Sequence, residues 1–207
     1  MAEYWNENVT QKSWEKLQEI AKQFDFAVIG GWAVYLWTKQ HKSKDIDIVI
    51  TLPMLHELKT RFELAKNDRL KKYEIKFNEF DTDIYVPHFS QLELPIEELL
   101  QNTIIIEGIK TIPAEHLLIL KQGAEINRRN SVKGRKDAID IVSLLIYAVD
   151  LNQYGKILKK HGKMHLAKQL EHVLASFDNK DCAYVGKNFK EFTDWKKKIL
   201  EEIKKLK

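Results

Sequence analysis

Cysteine is almost missing from this chain: of 207 residues only Cys182 carries a thiol. One thiol closes no intrachain disulfide and builds no cysteine metal cluster, which suits a reducing compartment, so a cytoplasmic location is expected. Long apolar runs are missing too. No window reaches the roughly 18 apolar residues needed to cross a bilayer, and the opening stretch "MAEYWNENVTQKSW" has neither a basic nor an apolar leader segment. Neither secretion nor membrane spanning is expected. There are only four prolines and eight glycines, and no repeat or low-complexity tract. What is present, 44% hydrophobic and 31% charged residues, describes an ordinary globular chain long enough for one large domain or two small ones. The net charge of +4 is mildly basic, which suits an anionic partner such as a nucleotide or RNA and equally a plain solvated surface.

Hydrophobic spacing divides the chain. "TQKSWEKLQEIAKQF" has the period of an amphipathic helix, with Thr10 or Ser13 available to cap it. "FAVIG" then reads as a strand, "WAVYLWTKQ" after Gly30 and Gly31 as a buried helix, and "KDIDIVIT" as a second strand. Pro53 opens a helix expected over "MLHELKTRFELAK". "YEIKFNEF" and "DTDIYVP" read as successive strands, "IEELLQ" as a short helix, and "TIIIEGIKTI" as a hairpin turning at Glu107 and Gly108. From Pro113 onward every periodic segment is helical. The expected fold class is therefore α+β: a small mixed sheet with helices over residues 1–112, followed by an all-α domain over 113–207.

Two carboxylates interrupt the second strand. Alternation sends Asp45 and Asp47 to one face while Ile46, Ile48 and Ile50 enter the core. Spaced about 7 Å apart along the strand, such a pair can converge on a divalent cation. "EFDTDIYVP" adds Asp81 and Asp83 with the same spacing, and either could supply a third carboxylate. Oxygen donors of this kind suit Mg²⁺ or Mn²⁺, which borrow further ligands from substrate phosphates. Gly30 and Gly31 join a strand to a helix, so backbone N–H groups there can approach an anion without a Cβ in the way.

Together "GGWAVYLW", "KSKDIDI" and "DTDIYV" resemble the DNA polymerase β-like nucleotidyltransferase superfamily. With "LLILKQGAEINRRNSVKGRKDAIDIVSLL" they resemble its stand-alone branch containing the AbiEii-type toxins, over roughly residues 20–150. The resemblance implies a metal-dependent enzyme that transfers a nucleoside monophosphate from an NTP to an acceptor and releases pyrophosphate. It implies Asp45 and Asp47 as ligands of both metals, Asp83 as ligand of the catalytic metal, and Gly30 and Gly31 on the triphosphate. Ser43, just before the aspartate pair, would bond a phosphate oxygen, although family members more often have Arg and Thr where this chain has Lys42 and Ser43. Lys121 and Lys136 would neutralise the triphosphate; against this, Lys136 and Asp140 also have the i, i+4 spacing of an ordinary helix pair. A tRNA or other nucleic acid, a protein hydroxyl or a small molecule all remain as acceptors, and an antitoxin-type protein as partner. The alternative is a catalytically inactive nucleotide-binding regulatory or antitoxin-type protein.

The seven histidines show no metal-ligand spacing: His161 and His165 lie one helical turn apart without a third ligand. Trp14, Trp32, Trp37 and Trp195 fall at apolar helical positions, the pattern of packing rather than base stacking.

Overall fold

The structure, a computed structural model, describes residues 7–206 of the chain. The leaderless reading of the N-terminal stretch therefore falls partly on residues outside the described ones. Two compact units divide the chain, Met1–Pro113 and Ala114–Lys207. The first is α+β around a mixed sheet, and among the described residues the second is helical, so the α+β expectation holds.

The first unit runs α1 (Glu7–Ala21), β1 (Ala27–Ile29), α2 (Gly30–Thr38), β2 (Ile46–Val49), α3 (Leu52–Arg61), β3 (Ala65–Asn67), β4 (Lys72–Lys76), β5 (Asp81–Tyr85), α4 (Ile96–Gln101), β6 (Ile104–Ile106) and β7 (Ile109–Thr111). The strands form one seven-stranded sheet in the order β3-β4-β5-β2-β1-β7-β6. β2 pairs with β5, and β1 with β7, in parallel; the other neighbours are antiparallel. Ile46, Ile48, Thr82, Ile84 and Ile75 point into the core from β2, β5 and β4. Strand alternation sends the intervening polar side chains to the other face. The β6–β7 turn has φ of 52° at Glu107 and 77° at Gly108, the pair of left-handed residues that matches hairpin twist.

Two expectations need correction. Thr10 and Ser13 do not cap α1, which already begins at Glu7; both lie on its buried side. There the Thr10 hydroxyl donates to the Glu7 carbonyl, and Ser13 Oγ accepts from Trp32 Nε1 at 2.9 Å. These bonds satisfy hydroxyls beneath an aromatic cluster in which the Trp14 and Trp32 rings lie 4.9 Å apart. The helix expected through Lys66 stops at Arg61. Its buried stripe ends with Leu58, Phe62 turns extended (φ −133°, ψ 148°), and Ala65–Asn67 gain ladder bonds to β4 instead. The start of that helix is as expected: Pro53 sits in the first turn, and Thr51 Oγ1 accepts from Met54 N–H.

The second unit comprises α5 (Ala114–Arg128), α6 (Val132–Tyr147), α7 (Leu151–Lys160), α8 (His165–Ser176), a 3-10 segment (Asn179–Val185) and α9 (Phe189–Lys204). Ser131, Asp150 and Asn188 cap the starts of α6, α7 and α9 with their side chains, Asn188 in a reciprocal capping box with Glu191. Leu117, Ile141, Leu158, Leu170 and Phe192 lie in its apolar core. A polar chain runs through it: Tyr154 donates to Gln122 Oε1, Gln122 Nε2 to Gln169 Oε1, and Gln169 Nε2 to Glu125 Oε2. Each buried amide thereby has a partner. Among the described residues no helix is long and apolar enough to cross a membrane.

Candidate active site

Parallel pairing of β2 with β5 sets Asp47 directly beside Asp83, on strands about 4.8 Å apart. Both side chains leave the same half-buried face of the sheet. Antiparallel pairing of β4 with β5 sets Glu74 on the other side of Asp83. Of the two aspartates on β5, Asp83 therefore faces Asp47. Asp81 lies at the start of the strand, paired with Lys76, and its backbone N–H donates to Asp45 Oδ1 at 3.3 Å.

Gly30 explains how Asp47 fits. It is the first residue of α2, has φ +65°, and a Cβ built on it would stand 2.1 Å from Asp47 Oδ2. Only glycine lets the backbone turn this way and leaves room for the carboxylate. Ile29, the residue before the helix, offers no side-chain cap, so the Asp47 carboxylate meets the positive end of α2. Gly31 is buried in that first turn. Ser43 is buried in the loop preceding β2, and Tyr85, two residues after Asp83, brings its hydroxyl within 3.5 Å of Asp47 Oδ1.

A lysine stands among these acids. Lys72 Nζ lies 2.6 Å from Asp83 Oδ2 and 3.1 Å from Glu74 Oε1, with the three side chains only 12%, 18% and 14% exposed respectively. Asn67 Nδ2 also donates to Glu74 Oε1 at 2.9 Å, fixing that carboxylate. Burial pushes the Asp83 carboxyl above its ordinary range; Lys72 offsets part of this, and Glu74 and Asp45 add repulsion. Burial works against the Lys72 ammonium, but Asp83 and Glu74 together outweigh it and raise its pKa. Both partners thus shift upward for different reasons: burial dominates at Asp83, and two carboxylates sharing one ammonium dominate at Lys72. For Glu74, burial is outweighed by Asn67, Lys72 and Lys76, and its pKa falls.

Sequence reading expected Asp45, Asp47 and Asp83 to gather around shared cations. Among the described residues no three His, Cys, Asp or Glu side chains come together closely enough to hold a metal ion. The reason is local: Asp83 reaches for Lys72 and Asp45 for the Asp81 amide, which leaves Asp47 and Asp83 as neighbours in register. The two acids left in register, Asp47 and Asp83, offer carboxylate oxygens, the donor chemistry a hard divalent cation takes, and an ammonium stands as a cation against Asp83. Lys72 and Glu74 were missed by sequence reading. The signal was there in "KYEIK", where alternation gives both side chains the face that Asp83 uses on the next strand.

Lys121 and Lys136 belong to the helical unit. Lys121 is buried, its ammonium 2.6 Å from Asp140 Oδ2 and 3.4 Å from Asp137 Oδ1. Asp137 also receives a two-pronged bond from Arg128, at 2.6 and 2.9 Å. Lys136 is half-buried on α6.

No family model matches the chain, and no curated protein matches it. Among solved structures, JHP933 from Helicobacter pylori is similar over 97% of this chain and 95% of its own, with a TM-score of 0.50 and 16% identity. An antigenic nucleotidyltransferase-like protein from Paracoccidioides brasiliensis is similar over 82% of this chain and 95% of its own, with a TM-score of 0.40 and 18% identity. The first likeness speaks for the fold alone; the second is too slight to argue from.

Proposed function

We propose that the chain is a nucleotidyltransferase of the DNA polymerase β-like kind, close to the AbiEii-type branch. It would transfer a nucleoside monophosphate from an NTP to an acceptor hydroxyl and release pyrophosphate. The observation that carries this reading is the Asp47–Asp83 pair in parallel register, with Gly30 at the start of α2 shaped around Asp47.

Asp45, Asp47 and Asp83 would hold Mg²⁺ or Mn²⁺, which when bound supplies charge neutralisation at the reacting phosphorus. The first turn of α2, at Gly30 and Gly31, would take a phosphate on its backbone N–H groups, with Ser43 nearby in the chain to add a hydroxyl. An anionic triphosphate beside two carboxylates needs cations between them, so the acid pair and the helix end support a single site. Lys121 has its ammonium against Asp137 and Asp140, which favours a structural role over a triphosphate contact; Lys136 remains the candidate cation of α6. The basic balance favours a nucleic-acid acceptor such as tRNA over a protein hydroxyl or a small molecule, and an antitoxin-type partner goes with the AbiEii likeness. A cytoplasmic site of action fits the single cysteine.

A second reading, a nucleotide-binding regulatory or antitoxin-type protein without turnover, draws on the Lys72 bond to Asp83. Incubation with Mg²⁺, each α-labelled NTP and a pool of RNA and protein acceptors separates the two. Label transferred by the wild type and not by Asp47→Asn supports the enzyme. Nucleotide binding without transfer supports the second reading, and equal transfer by both proteins overturns the site.

A further inference from the structure

We infer that Lys72 is a placeholder cation that makes the carboxylate site resist a bare divalent ion and accept one delivered with a triphosphate. This rests on the metal site proposed above and adds the order in which that site fills.

The geometry is specific. Lys72 opens β4, directly after a turn whose last residue, Lys71, has φ +51°. Its ammonium bonds two carboxylates of unequal freedom. Glu74 is fixed, because Asn67 holds the same Oε1 that Lys72 approaches, and Asn67 Oδ1 in turn accepts from the Leu70 N–H within the turn. Asp83, from the adjoining strand, is bonded through Oδ2 and lies in register beside Asp47. If a divalent cation takes Asp83, the ammonium keeps Glu74 as a preset partner and stays within a few ångströms of the new charge. A bare dication then meets a like charge only 12% exposed, which water screens weakly. A dication carrying a triphosphate is a net anion, and the same ammonium attracts it. Lys72 therefore penalises one form of the metal and favours the other, while keeping Asp83 and Glu74 from repelling each other when no metal is present.

Mn²⁺ binding, read by electron paramagnetic resonance with and without a non-hydrolysable triphosphate, tests this without turnover. In the wild type Mn²⁺ should bind weakly alone and at least about tenfold tighter with the triphosphate. Lys72→Met, close in length and uncharged, should tighten bare Mn²⁺ binding by about tenfold and shrink the triphosphate advantage accordingly. Glu74→Gln keeps the lysine, so its preference for the loaded metal should persist. A Lys72→Met protein with an unchanged ratio of the two affinities overturns the inference, and so does a change seen only in melting temperature, the mark of a packing role. Asp47→Asn separates this from the site itself: if it leaves Mn²⁺ binding untouched in both forms, the metal reading fails and the placeholder role fails with it. Should Lys72→Met fail to fold, Lys72→Gln offers the same comparison with a polar replacement.

Discussion

Lys121, buried, and Lys72, little exposed, both sit between carboxylates, and they are set up differently. In the helical unit Lys121 lies against Asp140 and Asp137, and Arg128 closes a fork on Asp137. Two cations answer two acids there, within a core of packed helices. In the sheet unit a single ammonium is shared by Asp83 and Glu74, and Asp45 adds repulsion to an already raised Asp83. The first arrangement is complete as a stabilising network. The second divides one ammonium between two carboxylates on neighbouring strands, which accords with the cation site proposed above. Burial of charge alone does not mark function; its balance against partners does.

The sharpest way to break this contrast is to remove Lys121. Lys121→Met leaves Asp137 and Asp140 buried with less compensation, and a loss of about 3–5 kcal/mol is expected by denaturant unfolding. Nucleotide transfer by the fraction that remains folded should be unchanged; a specific loss of triphosphate binding would return Lys121 to the site. Asp47→Asn should do the reverse: transfer falls by at least about 10²-fold, with the melting temperature held or raised because one of the crowded charges is gone. Gly30→Ala joins the two effects. Its φ of +65° and the 2.1 Å approach of a Cβ to Asp47 Oδ2 should cost about 1–3 kcal/mol, and transfer should fall with displacement of Asp47.

The smallest effect concerns pH and the helical unit alone. Burial raises the Tyr154 hydroxyl above its ordinary value, against a smaller opposing effect of its bond to Gln122. The folded chain therefore keeps this group neutral while an unfolded chain ionises it above about pH 10. The stability from this difference is full below that pH and is lost as pH rises further. Tyr154→Phe should cost about 1 kcal/mol near neutrality and flatten the fall between about pH 8 and about pH 11. Melting curves at the two pH values check both.

Much of the architecture was legible from periodicity. The alternation in "KDIDIVI" and "DTDIYV" is enough to assign one face to the acids and the other to Ile46, Ile48 and Ile84, because a strand admits only two faces. The Glu107–Gly108 hairpin was equally plain, since a glycine-bearing break divides two short β-branched runs. Neighbourhood across strands was not legible. Nothing local says that β2 lies between β1 and β5, so the pairing of Asp47 with Asp83 and the arrival of Lys72 beside them come from topology. β3 was missed because "AKN" has no apolar pattern; it is a strand only because β4 offers it a ladder. Thr10 and Ser13 misled because a hydroxyl near a helix start is a common cap, and here the helix starts earlier and the hydroxyls face an indole.

The ribbon formed by β3 and β4 ends the sheet, since β3 has β4 as its only neighbour in the strand order. The lysine bonded to Asp83 is thus carried by an edge hairpin, where backbone opening is easiest. Fraying there would take the ammonium away from Asp83, one strand further into the sheet, long before the hydrophobic interior loosened. Amide exchange at Tyr73 and Ile75 would then report on the readiness of a centre that lies one strand further in.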